Sequence, residues 1–73
     1  MDRAKYSMVI EWSEEDQCYV VSLPEFTQAM QPVTDGHTYE EAAKRGQEAL
    51  ESLIDFYQVE GWSLPQPKML QPA

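Results

Sequence analysis

Only one cysteine, Cys18, stands in this sequence, so no disulfide can form within the chain. His37 is the sole histidine, and one residue of each type cannot supply the four ligands of an ordinary zinc centre. Positive charge is equally scarce: five Lys plus Arg stand against 13 Asp plus Glu, for a net charge of −8. A surface of that sign repels phosphate backbones, which argues against nucleic-acid binding through a broad basic footprint. No apolar run approaches the ~20 residues needed to cross a bilayer. The polar start, Met1 to Lys5, lacks the character of a secretory signal. A lone thiol fits a reducing compartment, so the expected location is cytoplasmic, away from any membrane. The glycines are dispersed at positions 36, 46 and 61, which leaves no glycine-rich loop to cradle a phosphate.

What remains is a chain of 73 residues, room for one domain. At that length a single core is close to the limit of what stabilises a fold unaided. With disulfide and metal set aside, self-association is the expected aid, as a homo-oligomer, dimer or tetramer. The acidic balance attracts a basic protein partner and speeds its association. It serves equally to keep a small protein in solution.

Tyr6 to Trp12 alternates like a half-buried strand, with Tyr6, Met8, Ile10 and Trp12 on one face and Ser7, Val9 and Glu11 on the other. The polar stretch Ser13 to Gln17 then forms a loop built around a type I turn. Cys18 to Leu23 resumes strand character, with Tyr19, Val21 and Leu23 on one face, until Pro24 ends the ladder. A third strand is expected between Glu25 and Asp35, at the sheet edge and irregular near Pro32. Gly36 is expected to turn the chain with a positive φ. Thr38-Tyr39-Glu40-Glu41 matches a capping box. Beyond it Ala42, Ala43, Gly46, Ala49, Leu50, Leu53, Ile54 and Tyr57 recur at helical steps in one apolar stripe. This helix should end near Glu60 with Gly61 as its cap. Trp62-Ser63-Leu64 suggests a brief extended segment, and Pro65, Pro67 and Pro72 a polyproline-like tail.

Reactive constellations are sparse. His37 lies just before the helix with Asp35 nearby, but no serine or cysteine is presented to it, so it reads as a solvated turn residue. Glu11 falls on a strand, Asp35 before the helix, and Glu48 and Glu51 on helix turns, without an Asp-x-Asp or similar pairing to support a two-metal site. Cys18 has no adjacent cation to lower its pKa and reads as a packed small residue. No cofactor site, metal site or catalytic residue is expected, and the chain does not read as an enzyme. Aromatic residues are numerous for so short a chain, and they are separated by acids, where base stacking would interleave Lys and Arg. Core and protein-interface roles suit them better.

Several segments resemble the HicB-like antitoxin family. Tyr6-Ser7-Met8-Val9-Ile10-Glu11-Trp12 and Cys18-Tyr19-Val20-Val21-Ser22-Leu23-Pro24-Glu25-Phe26 resemble its opening strands. Gly36-His37-Thr38-Tyr39-Glu40-Glu41-Ala42 is similar to its Gly-Asp-Thr-x-Glu-Glu-Ala junction. Gly46 to Ile54 and Gly61-Trp62-Ser63-Leu64-Pro65-Gln66-Pro67 continue the likeness. Three departures stand beside it. Gln31 and Pro32 occupy the place of the family's glycine-cysteine pair, the segment before Gly36 is longer, and no helix-turn-helix or ribbon-helix-helix domain is expected.

The resemblance implies an α+β fold, β-β-β-α-β. In it an antiparallel three-stranded sheet is backed by one long helix with a short C-terminal extended segment, like a truncated ribonuclease H unit. The domain would span residues 1–67, and 68–73 would be a flexible tail. It also implies an antitoxin that binds and occludes a small basic HicA-like toxin, an mRNA-cleaving ribonuclease of double-stranded-RNA-binding-domain shape. No direct DNA binding is expected. For the toxin-binding surface the physical reading selects the acidic turn Glu14, Glu15 and Asp16 with Trp12, Glu25 and Phe26. Two other readings stay open: an orphan adaptor or small-ligand binder of the same fold, and a small metal-dependent nuclease.

Overall fold

A computed structural model describes residues 5–70. It is a small α+β domain in which strands β1 (Val9–Ser13), β2 (Cys18–Ser22) and β3 (Thr34–Gly36) precede one helix, α1 (Tyr39–Glu60). The sheet is antiparallel throughout, in the order β1-β2-β3. β1 and β2 form the expected hairpin, with Ser13 opposite Cys18 and Trp12 opposite Tyr19. Residues 14–17 make its loop, closed by the Gln17 amide donating to the Ser13 carbonyl at 2.8 Å. Glycine would be the usual choice there, and Gln17 takes the left-handed conformation (φ 55°) instead.

Three local expectations change. The first strand begins at Val9, because the Ser7 amide donates to the Glu25 carboxylate and so leaves the ladder. Tyr6 turns inward and its ring is buried. The third strand is only Thr34–Gly36 and lies at a sheet edge, after an irregular stretch from Pro24 to Val33. In that stretch Gln31 takes the place of a strand: its side-chain amide accepts from the Leu23 amide and donates to the carbonyls of Leu23 and Phe26, at 3.0–3.1 Å. Gly36 does not have the expected positive φ, which among the described glycines belongs to Gly61 alone. It is needed for space, since a Cβ there would lie 2.5 Å from the Ala42 nitrogen.

The helix begins and ends where the sequence placed it. Thr38 Oγ1 accepts from the Glu41 amide at 3.0 Å, and the Glu41 carboxylate reaches back to the His37 amide at 2.7 Å. At the other end Gly61 (φ 73°) donates to Gln58 and Trp62 to Tyr57, the two bonds of a Schellman cap. The core lies between α1 and one sheet face. Val21, Leu23, Phe26 and Ile54 are fully buried there, with Tyr6, Leu50 and Tyr57 around them. The Phe26 ring sits between Tyr6 and Tyr57 at centroid distances of 4.9 and 5.4 Å. Burying a ring of this kind contributes about 1.5–3 kcal/mol.

After Gly61 the described chain makes no ladder. It is held as a strap: Leu64 packs on the core, the Tyr6 hydroxyl donates to the Pro65 carbonyl at 2.7 Å, and the Lys68 amide donates to Glu25 at 2.9 Å. The expected tail is therefore anchored at its first residue. Its last residues, 71–73 with Pro72, and the polar start 1–4 lie outside the described residues. No helix among the described residues is long and apolar enough to cross a membrane.

Candidate protein-binding surface

Strand register alone brings Trp12 and Tyr19 together. They are directly opposed across β1 and β2, and their rings meet edge-on at 5.1 Å. On the other side of Tyr19 the cross-strand partner is Gly36, which offers no side chain. The tyrosine ring has room on that side, and Tyr39, the first residue of α1, stacks on it at 4.2 Å. The result is a row of three rings drawn from β1, β2 and the helix start. Trp12 is 48% exposed and Tyr39 62%. Such a row is apolar, stiff and open, with ring faces that attract cations.

The acidic turn is ordered against this row. Trp12 Nε1 donates to the Glu14 carboxylate at 2.7 Å, which fixes both side chains. Ser13 Oγ accepts from the Asp16 amide and donates to the Asp16 carboxylate, both at 3.1 Å. Gln17 Nε2 closes the loop on the Glu14 carbonyl at 2.6 Å. Glu15 is exposed at the tip. Carboxylates held in place beside exposed rings suit a guanidinium or ammonium group, which gains a charge partner and a π face together.

Of the six residues that the sequence pointed to, Trp12, Glu14, Glu15 and Asp16 share this corner. Glu25 and Phe26 do not. Phe26 is 0% exposed and Glu25 only 7%, so neither presents a surface to a partner in the folded chain. Glu25 is turned inward to hold backbone amides: both its oxygens accept that of Ser7, and one also accepts that of Lys68. Burial pushes its carboxyl up, but the amides of Lys68 and Ser7 outweigh burial and hold it below the usual range. Tyr19 and Tyr39 complete the corner without having been expected there. The signal for Tyr19 was the hairpin itself, because a four-residue loop between Ser13 and Cys18 puts it opposite Trp12.

Among the described residues the remaining polar groups make no second constellation. Cys18 is buried, and its thiol is pushed up by that burial and then by Asp35 and Asp16, which disfavours the thiolate. Arg45 reaches Asp35 at 3.3 Å with both side chains about half exposed, a contact of little energetic weight. Among the described residues no three His, Cys, Asp or Glu side chains gather as metal ligands. No family model matches the chain, and no curated protein or solved structure matches it to a significant level. The resemblance to HicB-like antitoxins thus rests on the sequence motifs alone.

Proposed function

We propose that this chain is a binding protein that captures a small basic partner through the Trp12–Tyr19–Tyr39 corner and the Glu14–Asp16 turn. Following the sequence resemblance, the partner is a HicA-like RNA-cleaving toxin, and the chain acts as its antitoxin by covering the toxin's active site. The observation that carries this reading is the half-exposed aromatic row with the Glu14 carboxylate bound to its outermost ring. Rigid exposed aromatics are the usual anchors of protein interfaces. A net charge of −8 complements the positive surface that a toxin must present to RNA. The finer fold expectation, a truncated ribonuclease H unit, is part of the same proposal and draws support from the β-β-β-α order. So are residence in the cytoplasm, which the single free thiol suits, and assembly as a homo-oligomer, which the short, disulfide-free chain suits.

The test is calorimetric titration into the small basic protein encoded beside this one, with RNA cleavage followed in parallel. Tight binding that abolishes cleavage supports the antitoxin reading. Trp12→Ala and Tyr39→Ala should each weaken that binding by tenfold or more, as loss of an interface anchor does. Binding that leaves cleavage untouched transfers the surface to the orphan-adaptor reading, and no binding removes the pair altogether. Sedimentation of a folded monomer at micromolar concentration overturns the oligomer.

A further inference from the structure

The charges of α1 follow physical rules at one end and break them at the other. In the first turn Glu40 and Glu41 sit at the positive end of the helix dipole, where carboxylates belong. The last turn has no basic residue and carries Glu60 against the negative end. Glu48, Glu51 and Glu60 are all exposed, and no Lys, Arg or His occurs between residues 46 and 67. Among the described residues no ion pair reaches Glu48, Glu51 or Glu60.

The same end of the helix shows apolar side chains to solvent. Val59 is 81% exposed, Phe56 49% and Trp62 42%. They form one patch: Val59 lies one turn beyond Phe56, and the Phe56 and Trp62 rings meet edge-on at 5.4 Å. The indole is braced from behind by buried Tyr57, 5.3 Å away and also edge-on, and its backbone is fixed by the Schellman cap. A patch held in this way loses little side-chain freedom when it is covered. From Tyr39 to Phe56 is 17 residues of helix, about 25 Å, so this is a surface separate from the aromatic corner.

We propose that the patch of Phe56, Val59 and Trp62 is a second docking surface, whose occupant is a cationic amphipathic segment of another protein. The apolar side chains of that segment would cover the three residues, and its Lys or Arg side chains would face Glu60, with Glu51 and Glu48 further back along the helix. The charge selects the occupant. A second copy of this chain would bring these carboxylates against their equals, and a phosphate-bearing surface would be repelled outright. A carboxylate tolerated at the wrong end of a helix, beside uncovered aromatics, is the local inconsistency that a binding role explains. The proposal stands whether or not the aromatic corner binds a toxin.

The chain has two tryptophans, Trp12 and Trp62, so its two indole N–H signals in a nitrogen-15 spectrum report the two surfaces separately. The probe is a synthetic leucine–lysine peptide with helical amphipathic spacing, titrated into the full chain at physiological salt. Its controls carry serine for leucine or glutamate for lysine. The Trp62 signal should shift saturably with the parent peptide, and each control should bind at least tenfold more weakly. Val59→Lys should weaken the parent peptide tenfold or more, while Gln47→Ala, at an exposed position of α1 outside both surfaces, leaves its affinity within twofold. Glu60→Lys should raise thermal stability by relieving the dipole yet weaken the peptide, a pairing that a merely solvated carboxylate does not give. Movement of the Trp12 signal alone, serine-peptide binding as tight as the parent, or unchanged affinity in Val59→Lys would overturn the proposal.

Discussion

The carboxylate of Glu25 accepts the amide of Lys68 at 2.9 Å across 43 residues of sequence. Because Ser7 donates to the same carboxylate, a single buried side chain ties the segment before β1, the turn after β2 and the strap after α1. Each bond is charge-assisted, and removing the charge leaves amides without a full acceptor.

Glu25→Gln should therefore lower unfolding stability by about 2 kcal/mol in urea, far more than an exposed glutamate substitution. The wild-type contribution should also depend on pH. The folded carboxyl lies below its ordinary value, so the unfolded chain takes up the proton first as pH falls. The contribution is full above the ordinary glutamate pKa of about 4.3 and is lost as pH drops through the folded value. Urea midpoints measured down that range should fall more steeply for wild type than for Glu25→Gln. Parallel slopes would contradict the clamp.

Gln31 carries three hydrogen bonds to the backbone of Leu23 and Phe26, where a longer third strand would have paired. Gln31→Ala should cost about 1–3 kcal/mol through amide and carbonyl groups left unsatisfied. Gln31→Glu keeps the acceptor but loses both donated bonds when ionised. Its deficit relative to wild type should be larger at neutral pH than near pH 4, where the acid regains a donor. An equal deficit at the two values would mean that the amide donors are dispensable.

A side chain at position 36 would meet the backbone of Ala42, 2.5 Å from its nitrogen and 2.8 Å from Cα, which cannot rotate aside. Gly36→Ala should cost about 1–3 kcal/mol by overpacking and should loosen the contact between β3 and α1. Gly61→Ala has open space around it, and only its left-handed φ opposes the change, at about 1–2 kcal/mol. Amide hydrogen exchange separates the two: exchange should quicken in β3 for the first variant and in the last turn of α1 for the second.

Thr38→Ala removes the acceptor for the Glu41 amide and should cost about 1 kcal/mol. Glu41 is held below its usual range chiefly by the bond from the His37 amide, with Arg45 and His37 charges assisting against desolvation. Its contribution is likewise present above the ordinary glutamate pKa and lost as pH falls through the lowered folded value. A Glu41→Gln variant should show a flatter acid limb than wild type in circular dichroism melts.

The helix was legible from residues 38 to 61 because both of its ends are governed by local chemistry. A threonine hydroxyl, a glutamate three residues on and a terminal glycine need nothing from the rest of the chain. The hairpin was legible for a similar reason: alternation fixes the faces, and the polar loop fixes the register. Four members of the aromatic and acidic corner lie within that local information. The other choices depended on distance in sequence. Whether Glu25 faces solvent or clamps Lys68 is settled 43 residues away, and an acidic residue after Pro24 looks the same in either case.

The sequence by itself determined the helix with its caps, the hairpin and the acidic charge. These depend on periodicity, capping and composition, which act within a few residues or require no geometry at all. Tertiary structure decided that Phe26 is core, that Gln31 replaces a strand, and that Gly36 is needed for space. It also stacked Tyr39 on Tyr19 and left Phe56, Val59 and Trp62 uncovered. The physical reason is that burial and long-range hydrogen bonds belong to pairs of residues, and only the folded chain decides which pairs meet.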